Sequence, residues 1–174
     1  MSQSLNSFGD LLRSVDHSAV HLELRDTYVM ENETAGFDAW KQGHRLDPAD
    51  RGSWWRPWLD LVQEVTGRGV VVRRARVISE PPSEYIRYEH SFSFTNIAAG
   101  EDIRWLPRND TSGIVLPEHD FWLFDSRLVQ FNVFDDEGRW LRTEQTDDPS
   151  AATLCAMAFH RVWERATPHE KYAV

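Results

Sequence analysis

The sequence predicts a single α/β domain, with a mixed central sheet and flanking helices, on three observations. A chain of 174 residues suits one domain built around one core, since domains usually hold about 100–200 residues. Hydrophobic residues make up 41% and charged residues 27%, a globular balance that argues against long disorder. Extended and helical patterns alternate along residues 1–174, with Gly and Pro between them.

The elements follow in order. Phe8, Leu11, Leu12 and Val15 share one face of a short helix. In HLELRD, Leu22 and Leu24 alternate with His21, Glu23 and Arg25, the pattern of a half-buried strand. FDAWKQG reads as a small helical piece, and Asp50 opens a stronger helix with Trp54, Trp55, Trp58, Leu59, Leu61, Val62 and Val65 on a broad apolar face. Gly67 and Gly69 end that helix; Pro57 is tolerated near its start or sets the start itself. Val70 to Ser79 is a β-branched run, as in a strand covered on both faces. Pro81 and Pro82 stop it, and Ser83 caps a helix carrying Tyr85, Glu89, Phe92 and Asn96 as far as Gly100. GEDIRWLP is the next strand, and Gly113 and Pro117 punctuate a loop before DFWLFD. Asp136-Glu137-Gly138 turns a hairpin within LVQFNVFDDEGRWLRTE. A last helix from about Pro149 to Thr167 carries Leu154, Met157, Ala158 and Val162 on one face.

Charge and composition narrow the function classes. The net charge is -9 and the pI about 5.2, which disfavours direct nucleic-acid binding, because that needs a basic surface against phosphate. The charge is uneven. Residues 67–108 hold seven arginines against five acids, and residues 118–148 hold nine acids against three arginines. That split suits a basic protein partner or a small anionic ligand held locally by arginine. One cysteine, Cys155, permits no internal disulfide and fits a reducing, cytoplasmic setting. Neither a signal-type start nor a membrane-spanning apolar stretch is present in the sequence. A homodimer is compatible with all of this. There is no phosphate loop, no dinucleotide-type glycine pattern, no Gly-x-Ser-x-Gly elbow and no His-Glu-x-x-His pair, so neither a cofactor nor a metal is expected.

Two groups of residues carry candidate chemistry. Arg74 and Arg76 share one strand face about 6.6 Å apart, close enough to grip one anion together; equally, they could pair with acids of the following helix. Tyr85, Glu89, His90 and Trp105 complete the candidate ligand-binding set, and Trp54 and Trp58 with Tyr85 and Trp105 would wall a pocket above the arginines. The second group is catalytic in type: His119 and Asp125, with Asp120 between them, as an acid–base or nucleophile–orienter pair. On a straight strand an offset of six residues separates His119 from Asp125 by about 20 Å, so a bend would be needed.

The succession GVVVRRARVI, PPSEYIRYEH, AGEDIRWLPR and LPEHDFWLFD, with LELRDTY before it and PHEKY after it, resembles an uncharacterised actinobacterial family known only as a domain of unknown function. Genes of that family often lie beside helix-turn-helix regulators and very small companion proteins. The resemblance therefore implies a regulatory or toxin–antitoxin-like setting, with one of these as partner, and no activity. A more distant similarity is to phospholipase D-like folds, in which a strand–helix–strand unit precedes His-x-Lys and an Asp four residues beyond the Lys. Here that stretch is His119-Asp120-Phe121 followed by Asp125, with Phe121 in place of Lys. The similarity implies one phospholipase D-like half, used for binding. The expectation is an accessory or regulatory binding protein acting with a helix-turn-helix regulator. The alternatives are a small phosphodiesterase or nuclease-like hydrolase using His119 with Arg74 and Arg76, and a small-molecule sensing domain.

Overall fold

A computed structural model describes residues 5–174, with side chains from residue 8 onward. Its centre is a seven-stranded mixed sheet in the order β6-β5-β4-β1-β2-β3-β7, as the sequence predicts. The strands are β1 (Ser18–Glu23), β2 (Val71–Ile78), β3 (Asp102–Pro107), β4 (Asp120–Phe124), β5 (Leu128–Phe134), β6 (Trp140–Thr146) and β7 (Thr167–Pro168). β2 lies between β1 and β3, parallel to both, while β4 is antiparallel to β1 and leads into the antiparallel β4-β5-β6 meander. The helices are α1 (Leu5–Arg13), α2 (Glu31–Lys41), α3 (Arg51–Trp54), α4 (Pro57–Gly67), α5 (Glu84–Phe92), α6 (Phe94–Ala98) and α7 (Pro149–Arg165). Among the described residues, no helix is long and apolar enough to cross a membrane.

One sheet face is covered by α7. Leu22, Ala75, Val77, Phe121, Leu123 and Val129 pack there against Ala152, Cys155, Ala158, Phe159 and Val162. The buried stripe of α7 is thus not the one the sequence suggests: Leu154 is 43% and Met157 60% exposed. Both sequence stripes hold Ala158 and Val162. Only the sheet decides which flank of that shared line faces inward.

The other face carries two separate helix groups. α1 and α4 cover one part through Leu12, Val15, Leu61 and Val65 against Ala19, Val72, Trp122 and Phe124. α5 covers another through Tyr85, Ile86 and Tyr88 against Ile78, Ile103 and Trp105. The predicted helix starting at Asp50 is two pieces, α3 and α4, because Pro57 takes the first turn of α4 and disfavours helical backbone at the residue before it; Arg56 is extended, with φ -142° and ψ 161°. The Ser83 cap forms as expected, its hydroxyl accepting from the Ile86 N–H at 3.1 Å. The helix it opens divides at Ser93 into α5 and α6 before Gly100, at φ 109°. There a side chain would meet Thr66 Oγ1 at 2.5 Å. β1 begins three residues before the predicted HLELRD strand and ends at Glu23, so His21 and Glu23 are interior strand residues with neighbours on both sides.

Candidate functional site

The gap between the two helix groups leaves part of the sheet uncovered, and the side chains forming its floor are polar. Strand register lays them out in rows. Arg74 pairs with His21, His21 with Trp122, Trp122 with Gln130 and Gln130 with Gln145. A second row brings Arg76 beside Glu23, and further along Asp120 beside Asn132 and Asn132 beside Thr143. Because side chains alternate across a strand, Phe121 and Leu123 go to the α7 face while Asp120, Trp122 and Phe124 take the other. Phe8 and Trp58 form one aromatic wall and Tyr28, Tyr85, Phe134 and Trp140 the other, around a cleft of about 310 Å³. A second cleft of about 380 Å³ shares Glu33, Trp58, Arg74 and Glu89 with it and adds Arg56 and Asn96.

The arginine pair grips a carboxylate, as its spacing predicts, but the carboxylate is the protein's own. Glu23 Oε1 accepts from Arg74 Nη1 at 2.9 Å, and Glu23 Oε2 lies 3.0 Å from Arg76 Nη1 as an ion pair off the hydrogen-bond direction. Arg74 Nε also donates to Glu101 at 2.6 Å, and Arg76 Nη2 donates to Glu89 at 2.6 Å. Glu101 takes a further bond from Asn96 Nδ2 at 2.6 Å. Such pairing offsets the large cost of burying charge. Arg56 is the guanidinium at these clefts without a carboxylate partner among the described residues; it donates to Thr95 and Asn96 and lies 4.3 Å over the Phe92 ring.

Several cleft groups titrate away from their ordinary values. His21 stacks on Trp122 with ring centroids 4.3 Å apart. Burial, then Arg74 and Arg76, hold its pKa well below the usual histidine range. The imidazole is therefore neutral, and its 3.8 Å approach to Glu23 is not an ion pair. Burial pushes Asp120 up to about 7, although the Tyr28 hydroxyl and the Leu24 N–H donate to it. Burial, and then the Glu89 charge, push Glu33 up to about 7 as well; the Tyr85 hydroxyl donates to it at 2.6 Å.

The Asp120 shift has a sign that can be measured. Its folded value of about 7 exceeds the ordinary 3.8, so the folded state binds this proton more tightly than the unfolded chain. The contribution of Asp120 to stability is then fully present below pH ~4 and is lost as pH rises to ~7. Asp120→Asn retains an acceptor for the Leu24 N–H and removes the titration. Urea midpoints should show wild type losing up to a few kcal/mol relative to the variant across that interval; a pH-independent difference would contradict the burial of this carboxyl.

The remaining predicted residues are dispersed. Tyr85 and Glu89 line the clefts, but Trp105 is fully buried beneath Arg76, at 5.2 Å. Trp105 Nε1 donates to His169 Nδ1 at 3.1 Å, and His90 Nε2 bonds the Tyr172 carbonyl at 2.8 Å, so both belong to a cluster holding the C-terminal segment. Trp54 is buried against Phe94, away from the clefts, whereas Trp58 stands in the wall as expected. His119 and Asp125 flank opposite ends of β4, and the straight strand supplies no bend to join them. His119 lines neither cleft. The Asp125 carboxylate accepts from the backbone N–H groups of Asp16, His17 and Ser18 at 2.7–3.0 Å. Burial would raise its pKa, but those N–H groups outweigh it and hold the value low. Among the residues missed from the sequence were His21, Glu23, Glu33, Glu101, Gln130 and Asn132. The shared parity of His21 and Glu23 was the available signal, but it reads equally as a solvent face.

A family model described as a domain of unknown function, DUF6879, matches residues 6–174. The chain belongs to this family. No curated protein matches its sequence. Among solved structures it is similar to Nuc, a phospholipase D family member from Salmonella typhimurium. Identity is 10% and the TM-score 0.50, with 94% of this chain and 88% of that one covered. NucT from Helicobacter pylori is similar at 12% identity and a TM-score of 0.49, over 94% and 89% of the two chains. TrmBL2, an archaeal chromatin protein, is similar at 14% identity and a TM-score of 0.49, over 92% and 48%. The distant likeness to a phospholipase D family protein that the sequence suggests is therefore present, and it is a likeness of fold.

Proposed function

We propose that this member of the family is a non-catalytic binding module whose cleft takes a small ligand, and that it serves as the accessory of a helix-turn-helix regulator. The observation that carries this reading is the state of the arginine pair. A phosphodiesterase must offer cationic groups to phosphate, and here the guanidinium groups of Arg74 and Arg76 are turned onto Glu23, Glu89 and Glu101. Aromatic walls around a polar floor with few converging groups are the ordinary makeup of a small-molecule site. The acidic stretch 118–148 supplies complementary charge for a basic partner.

The test sets binding against hydrolysis. Purified protein is expected to release no p-nitrophenol from bis(p-nitrophenyl) phosphate above the buffer rate, with or without divalent cations, and His119→Ala is expected to change nothing. Turnover that disappears in His119→Ala would overturn the binding reading in favour of a hydrolase. The partner clause is tested separately. A tagged chain should retain a protein with a helix-turn-helix domain, identified by mass spectrometry, from a lysate of the native host, and recovery of none removes that clause.

A further inference from the structure

Two carboxyl groups of the 310 Å³ cleft have no ion-pair partner of their own among the described residues. Glu23, Glu89 and Glu101 are matched by Arg74 and Arg76, but Asp120 receives only the Tyr28 hydroxyl and the Leu24 N–H. Glu33 receives only the Tyr85 hydroxyl. Among the described residues neither carboxylate lies within ion-pair distance of a basic side chain. Asp120 is 3% exposed on the floor, and Glu33 stands across the cleft on α2. Gln130 lies one step from Asp120 on the same floor, also 3% exposed. Its Oε1 accepts from Gln145 at 2.8 Å, and its Nε2, among the described residues, has no partner. Gln130 lines the cleft, so its amide nitrogen is open to an acceptor that enters it, and on the same floor the buried His21 Nδ1 has no hydrogen-bond partner among the described residues. The walls, Trp58 on one side and Tyr28 and Phe134 on the other, stand over Trp122 on the floor and offer aromatic faces, which attract flat rings and cations.

Building on the proposed binding role, we infer that the cleft between Trp58 and Phe134 takes a flat organic cation, a planar ring bearing a protonated nitrogen directed at Asp120 and Glu33 and an acceptor directed at Gln130. The cation supplies the charge that the two carboxylates lack, and the ring replaces water between the aromatic walls. An anion entering the same space would meet Asp120, Glu33 and Glu89 with Arg74 already engaged; its available guanidinium is Arg56, in the adjoining cleft.

Three isosteric probes separate these cases: benzamidine, a cation; benzamide, neutral; and benzoate, an anion. Their affinities are read by ligand-observed saturation-transfer NMR on the full chain near pH 8, where ionised Asp120 and Glu33 predominate. Benzamidine is expected to bind roughly tenfold more tightly than benzamide, the order of gain from one charge-assisted pair, and benzoate more weakly than either. Glu33→Gln should weaken benzamidine about tenfold and leave benzamide unchanged; Glu33 is only half-buried on α2, so this variant keeps the fold, whereas Asp120→Asn alters the buried floor. Trp58→Ala should weaken both. If benzoate binds as well as benzamidine or better, the cationic assignment is overturned while a ligand-binding cleft stands. If no probe binds, both the assignment and the ligand-binding role of this cleft are overturned.

Discussion

Phe121→Lys is expected to unfold the protein rather than to endow it with phosphodiesterase activity. By sequence, this substitution completes His-x-Lys at residues 119–121, with Asp125 four residues beyond. In the structure Phe121 is 0% exposed on the α7 side of the sheet, packed among Leu22, Leu123, Val129 and the apolar stripe of α7. Losing a buried phenyl ring costs about 3–5 kcal/mol, and an ammonium with no partner in an apolar core adds several more. Together these approach the whole stability of an ordinary domain, about 5–15 kcal/mol. The variant should lose its cooperative thermal transition in circular dichroism at temperatures where wild type is folded. A variant that folds with wild-type stability would show that the α7 face of β4 is wet, against the burial of Phe121. Strand parity is the deciding fact: a lysine at 121 points to α7, whereas the cleft is built on Asp120 and Trp122.

Glu101→Ala is expected to be the most damaging substitution in the charged network, at about 3–5 kcal/mol, the usual cost of removing one partner from a buried ion pair. Glu101 is 2% exposed and receives both Arg74 Nε and Asn96 Nδ2 at 2.6 Å. Its removal leaves a buried guanidinium with Glu23 alone and a side-chain amide without its acceptor. Glu101→Gln retains an acceptor and should cost roughly half as much. Urea denaturation measures both. A loss below about 1 kcal/mol for the alanine variant would mean that water or Glu23 satisfies Arg74 fully, and the network would then be solvent-accessible rather than closed. Arg74→Met combined with Glu101→Ala should cost less than the two single changes added together, because the second change removes a charge that the first has already stranded.

Much of the frame was legible from local pattern. The β-branched run after Gly69 became the interior strand β2, Ser83 became a cap, and Gly138, at φ 85°, closed the β5–β6 hairpin. These depend on backbone chemistry within a few residues, which a sequence displays directly. The candidate site was legible only in part. Arg74 and Arg76 do share a face and do hold a carboxylate between them. Its owner, Glu23, lies 51 residues from Arg74, and no local rule predicts that pairing. His119 and Asp125 drew attention through spacing alone, and the strand between them sets them at opposite ends.

The sequence determined the element types, the mixed α/β class and the chemistry available: arginines and carboxylates in near balance from residue 67 to 108, and aromatic residues in abundance. Only the tertiary structure decided which face of each strand meets α7 and which faces the gap between α4 and α5. Periodicity states that a strand has two faces, but it does not say what covers them. Packing α7 on one face and two separated helix groups on the other turned His21, Glu23 and Gln130 from surface-like residues into the floor of a cleft. The same packing spent Arg74 and Arg76 on the protein's own carboxylates. That is why a run that reads as an anion grip becomes, once folded, the support of a cleft in which Asp120 and Glu33 are the carboxyl groups without an ion-pair partner among the described residues.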